Sequence, residues 1–226
     1  MRIFNVTCLL LALALVACCG CTRKQTIKYD LRDVTRVKIE PLSALVFDIE
    51  TLQDKRREIA DNDPLFDQDY VGEIDEQQVC INSEKYYEKG TVAYQISKIM
   101  ADHLAARGAF GDVRVDAKQG ADYYLTGALK RFYARQPFAI SAKNASVKEY
   151  GLVLIEFTDL EIHDKNGAVV RKLPNCENRF DEPMDYESYC WPIYWEINRR
   201  LKIVIGNLAE QMEKEVSELA AQRQAP

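Results

Sequence analysis

Histidines, cysteines and clustered carboxylates are the side chains from which this sequence of 226 residues could assemble chemistry. Catalysis by a nucleophile needs a base and an orienting group brought beside it. The two histidines, His103 and His163, supply that poorly. No Gly-x-Ser-x-Gly elbow, phosphate-cradling glycine loop or His-Glu-x-x-His pair occurs. A zinc site takes about four ligands, usually from paired Cys or His, and Cys-x-x-Cys spacing is found only at Cys18 and Cys21 near the amino terminus. Residues 48 to 88 hold thirteen Asp or Glu against four Lys or Arg. A calcium loop beginning at Asp67 would place Asp69 and Gly72 correctly, but Val71 would stand at a ligand position and Gln78 at the closing one. These patterns predict a solvated acidic surface, no metal, no cofactor and no enzymatic activity.

Chemistry of another kind is written at the start of the chain. Arg2 is followed by an apolar run from Leu9 to Ala17, the layout of an export signal. A bilayer span takes about 20 apolar residues, so this run is too short to serve as one. It exits through Leu15-Val16-Ala17-Cys18, which resembles the lipobox of bacterial lipoproteins. That resemblance implies that the Cys18 thiol is diacylated and its amine acylated after cleavage, leaving the body tethered to a membrane through the acyl chains. Each buried methylene contributes about 0.8 kcal/mol, and several chains together give a near-permanent anchor. In such lipoproteins an Asp after the lipidated Cys marks inner-membrane retention. Cys19 stands there, so the resemblance implies the periplasmic face of the outer membrane.

Residues 1–17 are thus read as a signal peptide, 18–30 as a lipidated tether and 31–226 as one domain with an acidic insertion at about 51–89. About 210 residues remain after cleavage, enough for one ample core. The formal charge of −5 becomes one unit more negative when Arg2 is lost, and an acidic chain suits nucleic acid poorly. The basic run Lys130-Arg131-Phe132-Tyr133-Ala134-Arg135 is read as a strand with a solvated face.

Once Cys8 and Cys18 are set aside, Cys19, Cys21, Cys80, Cys176 and Cys190 remain. Export permits disulfides without fixing their pairing, and Cys176 with Cys190 is the simplest bridge. Both tryptophans of the chain fall in Cys190-Trp191-Pro192-Ile193-Tyr194-Trp195. The preferred reading has Pro192 starting a helix and the rings sealing its end against the sheet. The alternative makes Trp191 or Trp195 an exposed anchor for a partner or a lipid, since such rings combine large apolar area with a polar tip.

The elements that must position these residues follow from periodicity. Val92, Ile96, Ile99, Met100, His103 and Leu104 recur at helical spacing, with Thr91 as cap and Gly108 as stop, which predicts a helix over 92–107. A second helix over 194–221 is marked by Tyr194, Ile197, Leu201, Val204, Ile205, Leu208, Met212, Val216 and Leu219. Strands are predicted at 36–40, 44–50, 112–116, 121–135 and 152–163, the last with a phase slip near Thr158 and Asp159 that a bulge would explain. Asn166-Gly167 predicts a hairpin returning through 168–173, and 174–190 reads as irregular. The expected fold is α/β in the α+β sense, a mostly antiparallel curved sheet carrying both helices.

The stretch from Thr91 to Arg135, carried by Gly108, Phe110, Val113, Asp122, Tyr124, Leu125 and Gly127, resembles the ABC-type transport auxiliary lipoproteins and the amino-terminal domain of TolB. The acidic segment, Cys176 and Cys190 depart from that pattern. The resemblance implies a non-enzymatic accessory subunit working beside an envelope lipid or solvent exporter, with an envelope protein complex or a lipid as partner. A structural or regulatory envelope lipoprotein, such as an activator of peptidoglycan synthesis or a secretion component, is the alternative on the same fold.

Overall fold

The computed structural model describes residues 27, 29–56, 92–135, 150–183 and 191–224. Residues 1–17, read above as a signal peptide, Cys18, the acidic residues 57–91 with the rejected calcium loop, and Cys190 lie outside the described residues.

Seven strands form one sheet: β1 (Val46–Ile49), β2 (Gln53–Asp54), β3 (Asp112–Val115), β4 (Tyr123–Arg135), β5 (Tyr150–Asp164), β6 (Val169–Lys172) and β7 (Cys176–Pro183). Two helices, α1 (Val92–Arg107) and α2 (Trp191–Gln224), cover one face. The order runs β3-β1-β4-β5-β6, with β2 beside β4 and β7 beside β5. The sheet is mixed: β1 pairs in parallel with both β3 and β4, while the long β4–β5 and β5–β7 ladders are antiparallel. It is an α+β domain of the expected kind.

Alternation along β4 and β5 sorts the two faces. Tyr123, Leu125, Leu129, Val153, Ile155, Phe157, Leu160 and Ile162 point under the helices into the main core. The phase slip in β5 is real. Thr126 faces Glu161 but Ala128 faces Thr158, so two residues of β5 oppose one of β4, and Asp159 sits at φ 54°. Opposite that bulge stands Gly127, where a Cβ would lie 2.7 Å from Leu160 Cδ2.

Two expectations are corrected. Residues 36–40 form no strand; Ile39 and Glu40 open a turn ahead of Pro41, and Val37 N donates to Arg107 O, so this segment satisfies the end of α1 instead of joining the sheet. Residues 176–183 are not irregular but form β7, with Cys176 and Phe180 turned to the core. Its charged intervening residues Glu177 and Arg179 suit an edge strand and concealed the alternation.

The residues behind the family resemblance all serve the fold. Gly108 ends α1 at φ 71°, Phe110 packs on Phe47 with ring centres 4.8 Å apart, and Asp122 Oδ2 accepts a hydrogen bond from Val46 N.

Candidate functional site

α2 positions most of what could be functional. Its residues Ile197, Leu201, Val204, Ile205, Leu208, Met212 and Val216 are buried, so the opposite stripe faces solvent. Trp195 lies on that outer stripe and is 68 % exposed, with Ile203 two turns later also exposed. The packing reading therefore fails for Trp195, because its position falls on the helix face turned away from Ile197 and Leu201. Trp191 begins the helix, but its side chain lies outside the described residues. The first half of α2 carries Arg199, Arg200 and Lys202 against Glu196, whereas the second carries Glu210, Glu213, Glu215 and Glu218 against Lys214 and Arg223.

Cys176 is a half-buried free thiol, and burial raises its pKa. Its expected partner, Cys190, lies outside the described residues.

Beside α2 runs the segment 29–37. Asp33 Oδ2 lies 3.0 Å from Lys202 Nζ, and the Tyr29 hydroxyl lies 2.8 Å from His103 Nδ1, while His103 Nε2 is buried without a partner. Burial, aided by the charges of Arg107 and Lys202, pushes the His103 pKa down to about 4. His103 is thus packed among α1, α2 and Tyr29, with one ring nitrogen bonded and the other not.

One turn on, Arg107 makes a bidentate pair with Glu213 at 2.7 and 2.8 Å, both side chains buried, joining α1 to α2. The hydrogen bonds that Arg107 donates to Glu213 raise the Arg107 pKa further. Sequence reasoning missed this pair, although a signal existed. Arg107 follows Leu104 by three residues, and Glu213 follows Ala209 by four and precedes Val216 by three, so both fall on otherwise apolar stripes.

The helix-free face of the sheet is polar. Asp48 is fully buried in β1 and accepts a hydrogen bond from Ala117 N, with burial raising its pKa. Tyr124 stacks on His163 at 4.7 Å and 4°, and His163 Nε2 lies 3.0 Å from Thr126 Oγ1. A cleft of about 240 Å³ opens at the bulge, lined by Gln53, Lys55, Thr126, Gly127, Asp159 and Glu161. Its charges are matched: Lys55 bonds Asp159 at 2.9 Å, holding that carboxyl below its usual pKa, and Lys172 bonds Glu161 at 2.8 Å. Among the described residues no group of three His, Cys, Asp or Glu side chains is placed to hold a metal. The cleft is open and polar, while α2 carries exposed apolar surface.

No family model matches the chain, and no curated protein matches it. Among solved structures, protein XCC0632 from Xanthomonas campestris, of the DUF330 family, shares the fold at TM-score 0.53 and 9% identity, covering 87% of this chain and 98% of that one. Weaker likenesses are to uncharacterized lipoprotein B from Nitrosomonas europaea, at TM-score 0.42 and 9% identity over 86% of this chain and 93% of that one, and to a PelC dodecamer from Paraburkholderia phytofirmans, at TM-score 0.37 and 15% identity over 77% and 93%. The first establishes a common architecture.

Proposed function

We propose that this chain is an envelope lipoprotein, anchored through acylated Cys18 to the periplasmic face of the outer membrane, and that it acts without catalysis as an accessory subunit of a transport system. The observation that carries the reading is the apolar run ending in Leu15-Val16-Ala17-Cys18 ahead of a folded α+β body. The exposed Trp195 near the start of α2 supports a role in contact rather than chemistry, since one large amphipathic ring can dominate an interface. The transport role itself rests on the sequence resemblance across 91–135.

Two measurements test the two parts. Mass spectrometry of the amino-terminal peptide should show acyl chains on Cys18, and Cys18→Ser should move the protein from the membrane to the soluble fraction. An unacylated peptide, or a variant that stays equally membrane-bound, would sink the anchoring reading. Crosslinking in intact envelopes followed by affinity capture should recover a transporter component. Recovery of peptidoglycan synthases or secretion proteins instead would replace the transport role with the structural one.

A further inference from the structure

We infer that the outer stripe of the first half of α2, centred on Trp195, Arg199 and Ile203, is a second membrane contact that lies in the bilayer interface beside the lipid anchor. The inference rests on the anchoring reading and adds an orientation to it.

Three observations converge. Exposure comes first: Trp195, Ile203 and Leu31 are three of the five large apolar side chains exposed among the described residues. Two lie on the outer stripe of α2, and Leu31 lies on the segment bonded to that helix through Asp33 and Lys202.

Direction comes second. Val37 donates to the carbonyl of Arg107, whose guanidinium holds Glu213, while Asp33 holds Lys202. Traced back toward the amino terminus, the chain therefore climbs α2 from the level of residue 213 to that of residue 202. That is toward Trp195, which is seven residues further and about 10 Å along the axis at 1.5 Å per residue. From Cys18 to Ile27 an extended chain spans at most about 30 Å. That length exceeds the roughly 10 Å between Lys202 and Trp195, so an anchor at Cys18 can share one membrane surface with the Trp195 end of α2.

Charge comes third. The cations of α2 gather in this half, with Arg199 on the outer stripe and 69 % of its side chain exposed, while the carboxylates gather in the other. Trp at the headgroup level with nearby Arg and Lys is the composition that settles in an interface containing anionic lipid. The polar face and cleft at β5 then remain available to other molecules.

The test uses the full-length acylated protein reconstituted into phosphatidylethanolamine–phosphatidylglycerol vesicles, with and without lipids brominated along their acyl chains. Brominated lipid should remove a large fraction of the tryptophan emission, and Trp195→Phe should abolish most of that loss. Arg199→Glu with Ile203→Asp should reduce it at least twofold. Vesicle flotation and the acyl mass are read on the same sample. Protein that floats and is acylated, yet shows equal quenching in parent and Trp195→Phe, overturns the interface contact and leaves the anchor standing. Protein that neither floats nor carries acyl mass overturns both. A photocrosslinker at position 195 that captures a protein rather than lipid in intact envelopes also overturns the membrane contact, in favour of a protein partner.

Discussion

The two halves of α2 share an apolar inner stripe but differ on the outside. From residue 204 onward the helix is built into the domain: Val204, Leu208, Met212 and Val216 fill the core, Glu213 reaches Arg107, and the Arg223 guanidinium lies over the Tyr123 ring at 4.8 Å. Before residue 204 the inner stripe continues through Ile197 and Leu201, but the outer one turns apolar and basic. A stable helix needs only its inner stripe for packing. The exposed Trp195 ring on the outer stripe takes no part in that packing.

The comparison breaks most visibly at Glu213. Removing one partner of a buried ion pair strands the other charge, which costs about 3–5 kcal/mol. Glu213→Ala should therefore lower the melting temperature by roughly 10 °C in a domain of this size, since only the exposed Glu210, at 3.5 Å, remains near Arg107. The apolar double variant Arg107→Met, Glu213→Leu should recover most of that loss. Thermal denaturation of the three proteins decides it, and a double variant as unstable as the single one would show that the pair is not the cause.

A smaller effect is expected at the junction with the incoming chain. His103 titrates near 4 in the folded protein against an ordinary 6.5, so between those values the unfolded chain binds the extra proton. Stability present above pH 6.5 is lost as the pH falls through that window, by on the order of 1–3 kcal/mol. Denaturant titrations at pH 7 and pH 4.5 should show a drop in the parent that is reduced in His103→Gln. Equal drops in both proteins would remove His103 as the cause.

The smallest effect sharpens the contrast. Trp195→Ala should change stability by no more than about 0.5 kcal/mol, as surface substitutions do. A loss of 3 kcal/mol or more, the cost of truncating a packed aromatic ring, would return Trp195 to the core.

Much of this architecture was legible from periodicity. The apolar spacing in 92–107 delimits α1 to the residue, and the slip at Thr158 and Asp159 announced the bulge, because helix and strand periods survive in a buried face. What escaped was set by partners distant in sequence. Strand β7 takes its shape from β5, and the parallel neighbours of β1 lie more than sixty residues away, beyond the reach of local pattern. The site was legible in part. The sequence singled out Trp195, but the face it occupies depends on where Ile197 and Leu201 are drawn by the core, and its packing reading followed the general habit of aromatic residues.

The placement of β1 also orders events in time. Strands β4, β5 and β6 follow one another closely and can pair as they are made, whereas Val46–Ile49 must wait for Asp112–Val115 and Tyr123–Leu125 before its amides have partners. Pairing across such separations is slow. At a synthesis rate of about 5–20 residues per second, the partners of β1 are made several seconds after it. Val46-Phe47-Asp48-Ile49 is therefore among the last segments of the sheet to be sealed.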